Sequence, residues 1–255
     1  TAYRRQRQMC IRDSTNLHPS LLPALRGAAP IQWAIARQLE TGVTVQQLHS
    51  ERFDTGGILA QEHVSLPSRA SYPEAAPVLA AHGAALLTRV IADLPLYAAH
   101  VQAQDDTQAT RAPKLAPRFS NVRFDHWDAA TLDARLRAFG YAVRFAGTLT
   151  TVAAALCNAR AVIYTLPTSY VLFREGYTLD SSLAELDART HDLLYASDAR
   201  DGQATFSSTL QALVLRCHTR DTRPSVFAVT KLQTQGKPHA ERLTGGEVSA
   251  IAQIK

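Results

Sequence analysis

The chain has 255 residues, of which 46% are hydrophobic and 19% are charged, and its formal net charge is +5. These proportions are typical of a soluble globular protein with one large or two modest domains, and no stretch approaches eighteen uninterrupted apolar residues, so no membrane span is predicted. Three scattered cysteines without a C-x-x-C pair argue against a disulfide framework. Nine histidines without an H-x-x-x-H pair argue against a metal site.

The positive charge is concentrated at the two ends of the chain. Residues 1–14 contain four arginines and one aspartate and do not resemble the rest of the sequence, so we expect this segment to be foreign to the protein, similar to read-through of sequencing-adapter DNA. From residue 202 onward, seven Lys/Arg residues stand against three Asp/Glu residues. Such a surface suits the phosphate backbone of a nucleic acid, although an ordinary solvated surface of mixed charge has the same composition.

The first predicted elements form an α/β segment at residues 15–100. After a turn at 19–30, a helix is predicted from an apolar face made of Ile31, Ala34, Ile35 and Leu39. The run "TGVTVQQL" (41–48) predicts a strand, and "FDTGGILAQEHVSL" (53–66) predicts a glycine-rich turn and a second strand that pairs with it as a hairpin. A stripe of 3.6-residue period predicts a long amphipathic helix and consists of Leu79, Gly83, Leu86, Leu87, Val90, Ile91 and Leu94.

The second half is predicted to be a separate β-rich domain. Residues 101–125 are expected to form a linker, because 101–121 are polar and contain two prolines. Within the domain at 126–255, a short helix ends at Gly140, and several short β-rich runs come after it, which is typical of a small closed barrel. Residues 15–100 offer too few strands for a self-standing α/β sheet, so either a partner completes the sheet or part of the domain is missing.

Three polar residues in the first segment form a candidate catalytic set. A histidine beside an amide, as in Asn16 and His18, can polarise a carbonyl and stabilise an oxyanion. A nearby aspartate would orient the ring and keep it usable as a general acid or base, and the glycine pair after Asp54 allows a turn that brings its carboxylate into a pocket. On the residues alone, ordinary loop and turn roles for all three remain open.

Longer motifs resemble the folate-dependent formyltransferases. The stretch "NLHPSLLPALRGAAPIQWAI" (16–35) is similar to the signature that ends a sheet strand in that family, and "TGVTVQQLHSERFDTGGIL" supplies the family's D-x-G aspartate, 36 residues after His18. The run at 28–33 resembles best the members that formylate methionine on initiator tRNA. Two further segments agree, "APKLAP" (112–117) with the family's interdomain linker and "VTKLQTQGKPHAERLTGG" (229–246) with the end of its C-terminal barrel.

The resemblance implies a fold and a set of site residues. It implies the C-terminal half of a Rossmann-like α/β domain followed by an OB-like tRNA-binding barrel. In the reaction it implies, Asn16 binds the formyl oxygen of 10-formyltetrahydrofolate, His18 handles protons and Asp54 holds His18. The residues implied to shape the substrate pocket are Ser20, Leu21, Leu22, Pro23 and Gly27. Arg26 and Lys237 are candidate tRNA contacts or ordinary surface charges, and no metal is implied.

The resemblance also shows where the sequence departs from the family. About a hundred residues that help form the folate pocket are expected before Asn16, where this chain has fourteen unmatched ones, so we expect the chain alone to be an inactive fragment of a monomeric enzyme that binds no membrane. Mitochondrial and bacterial compartments both fit, and the stretch around Asp54 is similar to fungal mitochondrial members. Two alternatives stay open: a sugar-nucleotide formyltransferase or formyltetrahydrofolate hydrolase, and a non-catalytic RNA-binding module.

Overall fold

The computed structural model divides the chain into two compact units, Thr1–Leu115 and Ala116–Lys255. The division falls inside the segment predicted as a linker, and the functional assignment of each domain stays a prediction. The residues described are 14–49, 52–116, 119, 126–139, 143–145, 150–154, 161–165, 171–179, 194–195, 201, 204–207, 209–210, 212–218, 225–234 and 241–242.

The described part of the first unit is built on a three-stranded antiparallel sheet in the order β1-β2-β3. Its strands are β1 (Thr15–His18), β2 (Gly42–Gln47) and β3 (Ile58–His63). Its helices are α1 (Pro30–Ala36), α2 (Tyr72–Ala92) and α3 (Leu94–Ala99), followed by a short 3-10 helix at Asp106–Gln108. The predicted hairpin and long helix are confirmed.

The two faces of this sheet differ in chemistry because side chains alternate along each strand. Val43 and Val45 of β2 point to one face, where they join a buried cluster with residues of α2. That cluster consists of Val43, Val45, Leu59, Val64, Leu79, Leu86 and Val90. Each fully buried Val or Leu contributes about 1.5–3 kcal/mol, so this face anchors the unit. The opposite face carries Thr44 and Gln46, both buried, and there the candidate site lies.

Helix α2 begins with a capping box, in which Glu74 and Ser71 bond each other's backbone N–H groups. Its predicted stripe is buried at Leu79, Gly83, Leu86 and Val90. A Cβ atom on Gly83 would lie 2.6 Å from Leu17 Cδ2, so glycine lets the helix approach β1. Among the described residues this helix alone is long and apolar enough to cross a membrane by length and composition, a test that the core helix of a soluble protein also passes.

Two predicted core positions are exposed instead. Leu39 is 46% exposed because α1 ends at Ala36, and Gln38 then takes a left-handed φ of 55° that turns the chain away from the helical face. Ile91 is 61% exposed because it comes one residue after Val90, which is about 100° of rotation on a helix. In α1, Trp33 supplies the buried surface, and its indole N–H donates to the Pro113 carbonyl at 2.8 Å.

The first part of the predicted linker packs on the first unit through backbone hydrogen bonds. Gln102 and Ile58 exchange N–H to O bonds of 2.8 and 2.9 Å. Farther along, Arg26 N–H donates to Thr110 O at 2.9 Å and Ala112 N–H donates to Arg26 O at 2.7 Å. Gly27 has a φ of 130°, and a Cβ on it would lie 2.5 Å from Ala112 O. Residues 101–113 therefore pack against β3 and the loop around Arg26.

The second unit contains a helix and a sheet of short strands. Helix α4 spans Ala129–Phe139, as predicted, and Gly140 lies outside the described residues. The strands are β4 (Val143–Phe145), β5 (Thr150–Ala154), β6 (Ala161–Thr165), β7 (Val171–Leu179), β8 (Ala204–Ser207), β9 (Ala212–Cys217), β10 (Ser225–Thr234) and β11 (Glu241–Arg242). Their order is β4-β7-β10-β9-β8-β5-β6, with β11 on β10.

A buried cluster of Leu194, Val214 and Val226 lies in the second unit. Cys217 at the end of β9 is also buried, and burial raises the pKa of its thiol. Among the described strands no pairing joins β4 to β6, so the closed OB-like barrel stays a prediction. Lys237, the predicted tRNA contact of this unit, lies outside the described residues.

Candidate active site

The site begins at the polar face of β1. Asn16 and His18 are two residues apart on that strand and therefore project to the same face. Asn16 is registered opposite Gln46 and His18 opposite Thr44 on β2. Because Val43 and Val45 point into the core, Thr44 and Gln46 point to the other face of the sheet. There they lie opposite His18 and Asn16, respectively.

A hydrogen bond with Ser20 fixes the tautomer of the His18 ring. The Ser20 hydroxyl donates to Ala24 O at 2.7 Å, so it accepts the hydrogen bond from His18 Nδ1 at 3.0 Å. The ring proton of neutral His18 is therefore assigned to Nδ1, and Nε2 carries a lone pair. This buried Nε2 lies 3.5 Å from Asp54 Oδ2. Two acceptors therefore face each other in neutral His18, whereas a proton on Nε2 makes the contact an ion pair with Asp54.

Asp54 is fixed at a turn with a left-handed φ of 57°. Its Oδ2 accepts a hydrogen bond from Gly27 N–H at 2.9 Å, and its Oδ1 accepts one from Gln46 Nε2 at 3.2 Å. Burial raises the pKa of the Asp54 carboxyl, but the hydrogen bond and charge that protonated His18 supplies, with the bonds from Gly27 and Gln46, together lower it below the ordinary aspartate value. The carboxylate is therefore ionised at neutral pH.

The loop after His18 is tied to the sheet by one buried hydroxyl. Thr44 Oγ1 donates to Ser20 O at 2.6 Å and accepts from Leu22 N–H at 3.2 Å. Gln61 Nε2 donates both to Thr44 Oγ1 at 2.8 Å and to Leu22 O at 2.9 Å. These bonds fix the loop, which includes the cis peptide bond between Leu22 and Pro23, behind His18.

A cavity of about 550 Å³ opens in front of these groups. Its volume lies in the range of small-molecule sites. Of the residues predicted to bind substrate, Gly27 lines the cavity, whereas Ser20 and Leu22 are buried and Leu21 and Pro23 are not among its lining residues. The lining comprises Asn16, Leu17, His18, Pro19, Gly27, Ala28, Pro30, Gln46, Gln47, Leu48, His49, Arg52, Phe53 and Asp54. The structure thus brings the three predicted catalytic side chains to one cavity, and their roles stay predictions.

Arg26 is engaged within the first unit. Its guanidinium donates twice to Gln104 Oε1, at 2.9 and 2.7 Å, and pairs with Asp106 at 2.8 Å. Sequence reasoning missed Gln104 and Gln46 as site residues. The alternation along β2 places Gln46 on the same face as Thr44 and could have revealed it, but no pattern marks Gln104. Within the described residues, no group of three His, Cys, Asp or Glu side chains is arranged to hold a metal ion.

Part of the first unit is similar to known proteins. Residues 7–91 match the family model described as formyl transferase. This segment is therefore similar to formyl transferases. The formyl transferase segment contains Asn16, His18 and Asp54, and its match begins inside the segment 1–14 that was expected to be foreign. The first unit accordingly has the Rossmann-like α/β fold of formyl transferases, as predicted.

The formyl transferase segment also has curated relatives. A methionyl-tRNA formyltransferase from Acidobacterium capsulatum is 42% identical over 125 residues, which are 49% of this chain and 40% of that protein. The human mitochondrial methionyl-tRNA formyltransferase is 35% identical over 126 residues, which are 49% of this chain and 32% of that protein. The chain therefore spans less than half the length of these relatives. A crystal structure of a sugar 3N-formyltransferase, solved with dTDP and 5-N-formyl-THF, matches with a TM-score of 0.52 at 13% identity. The match covers 89% of this chain and 66% of that one, and it supports the formyl transferase fold.

Proposed function

We propose that the protein transfers a formyl group from 10-formyltetrahydrofolate to the amino group of methionine on initiator tRNA. The observation that carries the proposal is the contact of 3.5 Å between His18 Nε2 and Asp54 Oδ2 at the wall of a cavity that Asn16 also lines. The bacterial and mitochondrial relatives that bear the name methionyl-tRNA formyltransferase support the choice of acceptor.

In the proposed reaction, the methionine nitrogen attacks the formyl carbon and forms a tetrahedral intermediate. His18 Nε2 accepts the proton that the nitrogen loses, because Ser20 keeps the other ring proton on Nδ1. The resulting imidazolium is stabilised by the ionised Asp54 carboxylate. Asp54 keeps its charge throughout, since its pKa is lowered.

The negative charge of the intermediate develops on the formyl oxygen. The Asn16 amide lines the cavity on the same face as His18 and donates a hydrogen bond to that oxygen. Removal of one such donor typically lowers the rate about 100- to 1,000-fold. As the bond between the formyl carbon and N10 of the folate breaks, N10 takes up the proton from His18, which leaves tetrahydrofolate and formylmethionyl-tRNA.

The tRNA is assigned to the basic C-terminal part of the chain. The excess of seven Lys/Arg over three Asp/Glu from residue 202 onward supports this assignment. Arg26 and Lys237 are proposed contacts, although the Arg26 guanidinium already pairs with Asp106. We propose that the enzyme acts as a monomer in the bacterial cytoplasm or the mitochondrial matrix, the two compartments that its relatives represent.

A formylation assay on the full-length product of the gene tests the proposal. Methionyl-tRNA, an amino-sugar nucleotide and water are offered as acceptors for the formyl group. We expect formylated methionyl-tRNA, and we expect His18→Ala to lower the rate at least about 1,000-fold, whereas His82→Ala, at an exposed position on α2, leaves it unchanged. Preference for the sugar nucleotide or water, or a loss below tenfold in His18→Ala, contradicts the proposal. If residues 121–255 alone bind tRNA as tightly as the full-length protein does, and no acceptor is formylated, the protein is a binding module instead.

A further inference from the structure

Gln104 connects the segment 101–113 to the turn that carries Asp54. Its Oε1 atom accepts two hydrogen bonds from the Arg26 guanidinium, at 2.9 and 2.7 Å. Its Nε2 atom donates to the backbone carbonyls of Asp54, at 3.1 Å, and Gly56, at 2.7 Å, and approaches Gln46 Oε1 at 3.3 Å. An amide nitrogen has two hydrogens, so these three acceptors share them. Every polar atom of this half-buried side chain is therefore used.

The two carbonyls that Gln104 binds flank the bend of the Asp54 turn. Asp54 itself has a left-handed backbone, which a residue with a Cβ adopts only when its surroundings hold it there. In this conformation the carboxylate accepts the hydrogen bonds of Gly27 N–H and Gln46 Nε2. Gln104 binds the backbone carbonyls of both Asp54 and Gly56. It therefore holds the backbone that positions the Asp54 carboxylate.

Gln104 also orients Gln46. An amide side chain can be placed with its oxygen and nitrogen exchanged, and its neighbours decide which placement occurs. Because Gln104 Nε2 is a donor, Gln46 turns its Oε1 toward Gln104 and its Nε2 toward Asp54 Oδ1. A chain of hydrogen bonds thus runs from Arg26 through Gln104 and Gln46 to the carboxylate that faces His18.

We propose that Gln104 is a positioning residue of the reaction, which sets both the turn of Asp54 and the donor that Gln46 presents to it. The inference rests on the proposed function for the identity of the reaction. It does not make Gln104 a catalytic residue, because the cavity lining does not include it. Its effect passes through Asp54, whose carboxylate faces His18.

Two substitutions separate this role from simple support of the fold. Gln104→Glu keeps an oxygen for Arg26 but has no N–H group for the carbonyls of Asp54 and Gly56. Gln104→Met has a similar length and removes both functions. Gln102→Glu is the matched control, since Gln102 lies two residues earlier with an exposed side chain and reaches Ile58 through its backbone.

Steady-state formyl transfer by the full-length protein gives the first readout. We expect both Gln104 variants to lose at least tenfold in kcat with KM for both substrates changed less than threefold, and we expect Gln102→Glu to match the unsubstituted protein. The urea midpoint of Gln104→Glu should fall no further than that of Gln104→Met, because Arg26 keeps its partner in the glutamate variant. A kcat within twofold of normal in Gln104→Glu, or a loss that tracks only the folded fraction, overturns the proposal.

A carbon NMR titration of the Asp54 carboxyl gives a readout without turnover. The titratable or charged groups around this carboxylate are His18 on β1, Arg26 beyond Gln104, and His49 and Arg52 on the cavity wall. Loss of the Gln46 bond should raise the pKa of Asp54 in both Gln104 variants and leave it unchanged in Gln102→Glu. A raised pKa without formyl transfer by the unsubstituted protein would support the positioning role and reject the proposed reaction. An unchanged pKa in an active enzyme rejects the positioning role alone.

Discussion

Replacement of Thr44 by valine tests whether one buried hydroxyl holds the wall of the site. The substitution conserves the shape of the side chain but removes the donor to Ser20 O and the acceptor of Leu22 N–H and Gln61 Nε2. Gln61 keeps its bond to Leu22 O, so two backbone groups lose a partner. A buried polar group left without its partner costs about 1–3 kcal/mol, so we expect a loss of about 2–4 kcal/mol in the free energy of unfolding.

Thr41 supplies the matched control just before the same strand. It is also buried, but its hydroxyl has no hydrogen-bond partner among the described residues. Thr41→Val removes an unpaired polar group, so its free energy of unfolding should change by less than about 1 kcal/mol or increase.

Urea unfolding monitored by fluorescence measures the difference. In a Trp127→Phe background the buried Trp33 becomes the single tryptophan and reports on the first unit. With a urea dependence of about 2 kcal/mol per molar, Thr44→Val should unfold about 1–2 M earlier than Thr41→Val. Equal urea midpoints for the two variants would refute the assignment of the loop's stability to the Thr44 hydroxyl.

Further predictions concern the core and the carboxylate. Leu79→Ala should lower the free energy of unfolding by about 2–5 kcal/mol because Leu79 is 1% exposed. Leu96→Ala, at a position that is 52% exposed, should change it by less than about 0.5 kcal/mol. Similar urea midpoints for the two variants would contradict the assigned core. Because the pKa of Asp54 is lower in the folded state, its ionised form stabilises the fold above the ordinary pKa of an aspartate, and this contribution is lost as the pH falls through the lower folded pKa. The difference in unfolding free energy between the unsubstituted protein and Asp54→Asn should therefore shrink in acid, and a difference that is constant from neutral pH to pH 2 would reject the argument.

The polar face of the sheet could be predicted because it results from alternation along single strands. In "TGVTVQQL" the pattern that buries Val43 and Val45 also places Thr44 and Gln46 opposite β1. The motif resemblance then singled out Asn16, His18 and Asp54, which the structure brings to one cavity. Local patterns suffice where side-chain direction is set by the neighbouring residues alone.

Other features could not be predicted because they depend on contacts that are distant in sequence or on backbone pairing. The segment 101–113 resembles a linker, since its contacts with Arg26 and Ile58 use backbone N–H and C=O groups that every residue possesses. Gln104 binds a turn 48 to 50 residues earlier. The exposed position of Leu39 depends on the left-handed backbone of Gln38, which the periodicity of apolar residues does not encode.

The hydrogen bonds between the loop around Arg26 and residues 110–112 impose an order of assembly during synthesis. Leu25 N–H donates to the Thr110 hydroxyl, 85 residues later in the chain. At about 5–20 residues per second, the ribosome needs about 4–17 s to make that interval. We therefore expect Asn16, His18 and Asp54 to be made well before the loop around Arg26 gains its hydrogen bonds, which require residues 110–112.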